Sequence, residues 1–480
     1  MAGLDVMPYW LKIKALVDSS QVKPFNILMF VGLLSMIWYR KWVNVQHAKK
    51  LQKMRSQSAS KFPEIEPLED FEWEKTEPLQ FRPFKPKYHL TMGKYMMSGW
   101  ESKYMLTYRE LTDPTALENL DPSELIPMDN TYKERIDIRR QLLKDHYDVV
   151  LGVNKNKLGE EDPRVRAAVG ELYQFVLGNY LPTRYPKMFK LLEANFESGK
   201  TMLVQNQITR EMLPTTLSPG RPTIMALETL AKTVDEEMLI LLPEIKESNS
   251  ENKNQKYGQG RGEKEGSDSP SPDDENKYVL EAYATCFPSG FDTRTKLGRK
   301  LSEIHDPVPG YKQKLEKSMD RFFDKLEVGK FVKRLNWTMT TDADLFSAFG
   351  GIHAGHGEDM TPLKVEDLDL DNVSYVYSVS AFILLVLGIY GGVKRQANIA
   401  KFLKTFLRCE RQTLYRLPTS GALVFSFHTY RYPIQQIKEE GSGEDLAAAI
   451  DGFEAGSTPL IGRYKRVPAW GEAVKAYLRS

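Results

Sequence analysis

His305 is the residue in this chain whose setting best suits a metal ligand. It directly precedes a turn in which Pro307 and Pro309 fix the backbone dihedral φ and Gly310 permits the reversal of the chain. The approach to this turn is basic and contains Arg294, Lys296, Arg299 and Lys300. A potential ligand on a stiff loop beside several cations suits an anionic cofactor that contains a metal. The alternative is a surface loop with solvated cations, in which the histidine only caps a helix.

Two other sets of side chains could bind a metal. Cys286 could do so as a thiolate, but cysteine is also a common buried residue. His353 and His356 have the i, i+3 spacing of a ligand pair, yet the glycines around them favour a loop without a metal. Because the chain has only two cysteines, a disulfide framework and a four-cysteine zinc or iron–sulfur site are excluded. The net charge of +2 gives no reason to expect nucleic-acid binding.

Several long stretches of the chain resemble, in the same order, the segments of a known family. These stretches are Phe81–Gly93, Asp129–Leu143, Tyr180–Pro186, Ala231–Pro243, Cys286–Tyr311, Asp320–Met339 and Arg408–Tyr430. The family is that of the haem-dependent oxidative N-demethylase alpha subunits, and the chain is similar to a fungal-type, membrane-anchored member. The resemblance covers roughly Phe81 to Pro433. Long segments in the right order identify a family more specifically than a short motif does.

Predicted helices followed by predicted strands suggest an α+β fold, and the resemblance implies a PAS-like haem-binding domain with surrounding helices. The N-terminal segment described below predicts a transmembrane helix before this domain. Apolar periodicity predicts helices over Tyr132–His146, Arg164–Tyr180, Met225–Leu242 and Lys314–Leu326. Runs rich in Thr, Val, Phe and Tyr predict a strand over Tyr278–Cys286 and a β-hairpin over Leu414–Tyr432 that turns at Pro418–Gly421. We interpret the apolar stripes of the helices as core packing.

The same resemblance implies roles for individual residues. His305 occupies the position of the family motif and is expected to be the axial ligand of the iron in haem b, with Cys286 as the alternative ligand. Three cations are expected to pair with the haem propionates, namely Arg294, Lys296 and Arg299. Tyr311 and Arg411 are expected to line the pocket as catalytic residues. At position 428 the resemblance leads us to expect arginine, so His428 is not assigned a ligand role.

The activity implied by the resemblance is that of a haem-dependent monooxygenase that tailors a small metabolite. A carbon next to an amine nitrogen would be oxidised, and the resulting carbinolamine would break down to an amine and an aldehyde. No G-x-G-x-x-G motif follows a predicted strand, so the electrons are expected from a separate reductase. The alternatives are a haem- or gas-sensing protein, a protein that binds haem without turnover, or a structural membrane protein with a decayed site, because fold does not fix function.

The N-terminal part of the chain is predicted to anchor the protein in a membrane. Residues 24–41 contain an apolar run that ends in aromatic and basic residues, as at a membrane interface. This stretch lies between a short N-terminal segment, 1–23, and a polar linker, 42–80. More basic residues follow it than precede it, which predicts a single-pass protein of the endoplasmic reticulum with a cytosolic catalytic domain. Asn336 begins a glycosylation sequon that would be used only if that domain were lumenal.

Two inserts interrupt the family-like domain, which is predicted to extend over 81–433. Residues 246–277 are polar and charged, and are predicted to be disordered because they have little apolar surface to bury. Residues 373–401 begin with a long uncharged run that reads as a second membrane helix, which would divide one core between two sides of a membrane. The codons that could encode the ends of this insert also fit an intron, so a translated intron is the alternative. Residues 434–480 are predicted to be a tail with one short helix.

Overall fold

The computed structural model describes most of the chain, in two units. Residues 31–42 belong to the first unit, and the other described residues belong to the second. The second unit is described over 62–81, 117–196, 199–245, 277–340, 344–350, 352–353, 360, 362, 364–365, 368–369 and 403–480. The predicted insert over 373–401 lies outside these residues, as does the predicted disordered insert except for Lys277.

The predicted membrane anchor is wrong. In the N-terminal part of the chain the structure describes residues 31–42, and these residues are helical. Among the described residues, no helix is both long and apolar enough to cross a membrane. The transmembrane part of the predicted fold class and the single-pass membrane localisation are therefore corrected.

Strands form the centre of the second unit. Numbered along the chain, they are β1 (Glu118–Asn119), β2 (Leu151–Val153), β3 (Phe189–Phe196), β4 (Gly199–Asn206), β5 (Met212–Pro214), β6 (Glu237–Pro243), β7 (Tyr278–Ala284), β8 (Phe331–Thr340), β9 (Leu368–Asp369), β10 (Leu403–Lys404), β11 (Phe406–Arg416) and β12 (Leu423–Pro433). A seven-stranded antiparallel sheet has the order β1-β8-β11-β12-β6-β7-β2. Strands β3 to β5 form a separate three-stranded sheet, and β9 pairs with β10.

Helices surround the large sheet. They are α1 (Tyr132–Asp145), α2 (Tyr147–Val150), α3 (Pro163–Tyr173), α4 (Leu181–Arg184), α5 (Thr223–Ala231), α6 (Leu301–Ile304), α7 (Tyr311–Lys314), α8 (Glu316–Lys325), α9 (Ile434–Glu439), α10 (Gly443–Ala455), α11 (Leu460–Tyr464) and α12 (Val467–Arg479). A π-helical segment, Gln174–Tyr180, joins α3 to α4, and short 3-10 helices lie at Trp73–Lys75, Pro122–Glu124 and Thr293–Lys296. The α+β part of the predicted fold class is confirmed, and the PAS-like part stays a prediction.

The predicted third helix is wrong over its second half. Helix α5 ends at Ala231, and residues Glu237–Pro243 form β6 between β12 and β7. Because β6 is a central strand with few exposed positions, its sequence is almost continuously apolar. Periodicity cannot distinguish such a run from a buried helix.

The predicted hairpin is confirmed and supplies the two longest strands of the large sheet. Strands β11 and β12 pair from Arg416 with Leu423 to Phe406 with Pro433. Gly421 lies in the turn with a φ of 68°, a conformation that is strained for residues with a Cβ atom. The other neighbour of β11 is β8, so side chains from both strands share each face of the sheet.

The C-terminal segment is helical where the sequence predicted a tail with one short helix. Helices α9 to α12 contribute Ile437, Leu446, Ile450 and Val474 to the same hydrophobic core as the sheet. In this core the ring of Phe453 in α10 lies 5.1 Å from that of Trp337 in β8. The segment therefore covers the sheet and does not extend away from it.

Candidate functional site

His305 lies at the C-terminal end of α6, and its ring is held by two contacts. The Nδ1 atom is 2.8 Å from the backbone oxygen of Leu301, one turn earlier in the chain. The imidazole also stacks on the ring of Tyr311, with centroids 4.7 Å apart and planes 12° from parallel. In the tautomer with the proton on Nδ1, the Nδ1–H group donates a hydrogen bond to this carbonyl and Nε2 has a free lone pair. A histidine that binds a metal has the same arrangement.

The protonation state of His305 fits a ligand. Burial lowers the pKa of His305 to about 4, the contact with Leu301 opposes this shift, and the charges of Arg334 and Lys296 add to it. The imidazole is therefore neutral at physiological pH. A neutral imidazole keeps the lone pair that a metal requires.

Lys296 is the predicted propionate-binding cation that the structure places beside His305. Its ammonium group lies 3.4 Å from the backbone oxygen of Ile304 and 5.1 Å from the ring centroid of Phe291. Burial lowers the pKa of Lys296, and the charge of Arg299 lowers it further. A half-buried cation in this position can form a charge-assisted bond with a carboxylate of a ligand.

The other two predicted propionate-binding residues lie on the surface. Arg294 is bound to carboxylates of the protein, at 2.7 Å from Asp292 and 2.6 Å from Asp148. Arg299 is exposed and neighbours Lys296. The structure therefore brings Lys296 to His305 but uses Arg294 in a surface ion-pair network.

One face of the large sheet carries a polar group that sequence reasoning missed. We call Arg334, Asn336, Glu410 and Gln412 the sheet-face cluster. Arg334 Nε donates to Gln412 Oε1 at 2.6 Å, and Gln412 Nε2 donates to Glu410 Oε2 at 2.7 Å. Asn336 Nδ2 lies 3.4 Å from the same Glu410 oxygen. The charge of Arg334 also contributes to the lowered pKa of His305.

A lysine from the C-terminal helices meets the sheet-face cluster. Lys465, directly after α11, donates to Asn336 Oδ1 at 2.9 Å and to the backbone oxygen of Trp337 at 2.5 Å. Burial lowers the pKa of Lys465 to about 8, although the charge of Glu410 opposes the shift. The side-chain amide of Asn336 is therefore held by both Lys465 and Glu410.

Arg411 does not join His305 in the site. Its guanidinium donates to the backbone oxygens of Glu124 at 2.6 Å and Leu125 at 3.2 Å. Because adjacent residues of a strand point to opposite faces, Arg411 lies on the other side of the sheet from Gln412. The contacts of Arg411 are those of a residue that positions the backbone.

Cys286 is poorly suited to the alternative role of thiolate ligand. The residue is fully buried, and its backbone N–H donates to the carboxylate of Glu237. Burial raises the pKa of Cys286 to about 12, although the charge of Arg139 opposes this shift. Without a metal the sulfur therefore keeps its proton, which iron binding would have to displace.

The remaining described histidines have structural contacts. His428 lies 3.4 Å from Asp235 and 3.5 Å from Glu236 in a buried charge network. His353 stacks on Tyr464 with centroids 4.5 Å apart, and burial lowers its pKa to about 3. His356, its predicted spacing partner, lies outside the described residues. Among the described residues, no group of three or more His, Cys, Asp and Glu side chains could hold a metal ion.

The fold and the site are compatible with a haem-binding protein. They combine an α+β core, a neutral histidine with an available nitrogen, and a half-buried cation beside it. The family model for haem-dependent oxidative N-demethylase, alpha subunit-like proteins matches residues 116–475. The chain belongs to this family, and the match includes the C-terminal helices. No curated protein matches the chain.

Proposed function

We propose that this protein is a monooxygenase that uses haem b to oxidise a carbon next to the nitrogen of an amine, with His305 as the axial ligand of the iron. The observation that carries the proposal is the setting of His305. Its Nδ1 atom is engaged by Leu301, its ring is stacked on Tyr311, and its imidazole is neutral. Membership of the family supports haem dependence and oxidative N-demethylation as the general activity.

The protein's own residues would bind and orient the cofactor. His305 would hold the iron through Nε2, and Tyr311 would keep the imidazole plane fixed. Lys296 would pair with a propionate, which offsets the penalty of burying the lysine charge. Haem b, when bound, supplies the activation of molecular oxygen.

The proposed reaction needs an electron donor. One atom of O2 enters a C–H bond next to the nitrogen and the other leaves as water, which consumes two electrons and two protons. The carbinolamine then breaks its C–N bond and leaves an amine and an aldehyde. We propose that a separate reductase supplies the electrons, because the sequence has no dinucleotide motif of the kind described above.

Absorption spectroscopy tests the haem assignment. Full-length protein is reconstituted with haem, and its spectrum is recorded before and after reduction and addition of carbon monoxide. We expect a Soret band that is lost or shifted in His305→Ala and retained in the matched control His146→Ala, because His146 lies at the end of α1 and stacks on Phe346. Folded wild-type protein without a Soret band would contradict the proposal.

Oxygen consumption tests the activity and separates it from haem or gas sensing. We expect reductase-driven oxygen consumption that rises when a secondary amine is added, with formation of an aldehyde. A haem-loaded protein that consumes no oxygen with any secondary amine would favour a sensor or another non-catalytic haem protein.

A further inference from the structure

Glu410 presents a buried carboxylate oxygen within the sheet-face cluster. The residue is 5% exposed, and its Oε2 atom is held by Gln412 and Asn336. Its Oε1 atom accepts no hydrogen bond from any residue that the structure describes. A buried carboxylate oxygen without a donor is costly, which indicates that a ligand supplies the donor.

The cations near Glu410 donate to other acceptors. Arg408 donates to Ser289 Oγ and to the backbone oxygens of Phe287 and Pro288. Lys465 donates to Asn336 Oδ1 and to a backbone oxygen of β8. None of these contacts involves the Oε1 atom of Glu410, which remains available to a ligand.

The sheet-face cluster fixes the direction of the Glu410 carboxylate. Gln412 and Asn336, from β11 and β8, both donate to Oε2, so the carboxylate cannot turn without losing these bonds. Gln412 also accepts from Arg334, whose charge reaches His305. Arg334 thus helps to fix the group that holds Glu410, and its charge also acts on His305.

We propose that Glu410 binds the protonated nitrogen of the substrate through an N–H···Oε1 hydrogen bond. This inference rests on the proposed function, because it names the residue that recognises the amine. A carboxylate forms stronger hydrogen bonds with charged N–H donors than with neutral ones. The site would therefore select primary, secondary or tertiary ammonium ions over quaternary ammonium ions, which have no N–H group, and over neutral ethers of the same shape.

Calorimetric titration with three matched probes tests this selection. The probes are N-methylbutylammonium chloride, N,N,N-trimethylbutylammonium chloride and butyl methyl ether. We expect the full-length protein to bind the first probe more tightly than the other two. In Glu410→Gln, which keeps the shape and removes the charge, affinity for the first probe should fall about tenfold or more, since hydrogen bonds to charged groups contribute about 1.5–3 kcal/mol.

Two further variants control for the fold and for general charge. Glu410→Asp keeps the charge and should retain the preference for the N–H probe, with weaker binding because the side chain is shorter. Glu327→Gln removes an exposed carboxylate that pairs with Lys330 and should bind like the wild type. Thermal unfolding of each variant shows whether lost binding reflects lost folding.

The spectrum of each sample separates this inference from the proposed function. Equal affinity of wild type and Glu410→Gln for N-methylbutylammonium would overturn the inference, and a Soret band in both would leave the haem assignment standing. Glu410-dependent binding by folded protein without a Soret band would support the cation site and overturn the haem assignment.

Discussion

Arg411 and Gln412 are neighbours in β11 whose side chains lie on opposite faces of the sheet. Arg411 donates to the backbone oxygens of Glu124 and Leu125, whereas Gln412 bonds Arg334 and Glu410. The first residue holds the segment around a 3-10 helix against the sheet, and the second belongs to the sheet-face cluster. Adjacent residues of one strand thus have different roles, because their side chains lie on opposite faces.

Arg411→Met should destabilise the fold without weakening haem binding. The substitution removes the donor of a buried backbone oxygen, that of Leu125, and of a partly buried one, that of Glu124. A buried polar group without its partner costs about 1–3 kcal/mol. Urea unfolding measures the loss, and haem titration measures the affinity. A variant as stable as the wild type that no longer binds haem would place Arg411 in the haem site and contradict this assignment.

The ring of Tyr311 should govern how firmly His305 is held. Tyr311→Phe keeps the ring that stacks at 4.7 Å and should retain the spectrum and the haem affinity of the wild type. Tyr311→Leu fills much of the space but removes the stacking, so haem should dissociate faster. Transfer of haem to an acceptor protein measures the dissociation rate. Equal rates for the two variants would show that stacking does not restrain the imidazole.

The buried neutral state of His305 should make the haem-free protein less stable in mild acid. The folded-state pKa of about 4 lies below the ordinary value of 6.5, so the unfolded chain binds more protons between these two pH values. Stability should therefore fall as the pH is lowered from 6.5 to 4. In His305→Ala this decrease should be smaller.

Urea midpoints of the haem-free protein between pH 7 and pH 4.5 measure this dependence. His353 should contribute in the same direction, because burial lowers its pKa to about 3. His353→Ala is therefore a comparison variant in which the decrease should also be reduced. Parallel curves for the wild type and His305→Ala would mean that the folded protein protonates His305 as readily as the unfolded chain does.

The choice of His305 as a ligand rests on local signals in the sequence, and its role stays a prediction. Two prolines and a glycine follow it within a few residues, and Lys296 precedes it by less than three helical turns. The ion pair of Arg294 with Asp292 is also local, because the two residues are only two positions apart in the chain. Its second partner, Asp148, is distant in the chain and could not be identified from the sequence.

The sheet-face cluster could not be predicted from the sequence because it depends on the register of distant strands. The alternating polar residues Arg334 and Asn336 in β8, and Glu410 and Gln412 in β11, indicate a polar face. Their contact requires the pairing that places Gln412 opposite Arg334 and Glu410 opposite Asn336. Composition and spacing contain no information about that register. The strand β6 was predicted as helix for a related reason, because burial by distant parts of the chain makes its sequence almost continuously apolar.

Arg139 should be among the most sensitive positions of the fold. It is completely buried in α1, donates to Ala231 O at 2.7 Å and Glu236 O at 2.8 Å, and forms an ion pair with Glu237. Arg139→Met leaves the Glu237 carboxylate buried without its cation. Removal of one partner from a buried ion pair costs about 3–5 kcal/mol, so the free energy of unfolding should fall by this amount.

Lys133→Met is the matched control for Arg139→Met because it removes a cation from the same helix. Lys133 pairs with Asp137 at 2.8 Å, but both side chains are exposed, and such pairs contribute about 0–1 kcal/mol. In urea unfolding, the loss in the free energy of unfolding should therefore be severalfold larger for Arg139→Met than for Lys133→Met. The double variant Arg139→Met with Glu237→Gln should recover part of the loss, because it no longer buries an isolated charge. Without such recovery, the loss in Arg139→Met would come from its hydrogen bonds to Ala231 and Glu236 and not from the unpaired carboxylate.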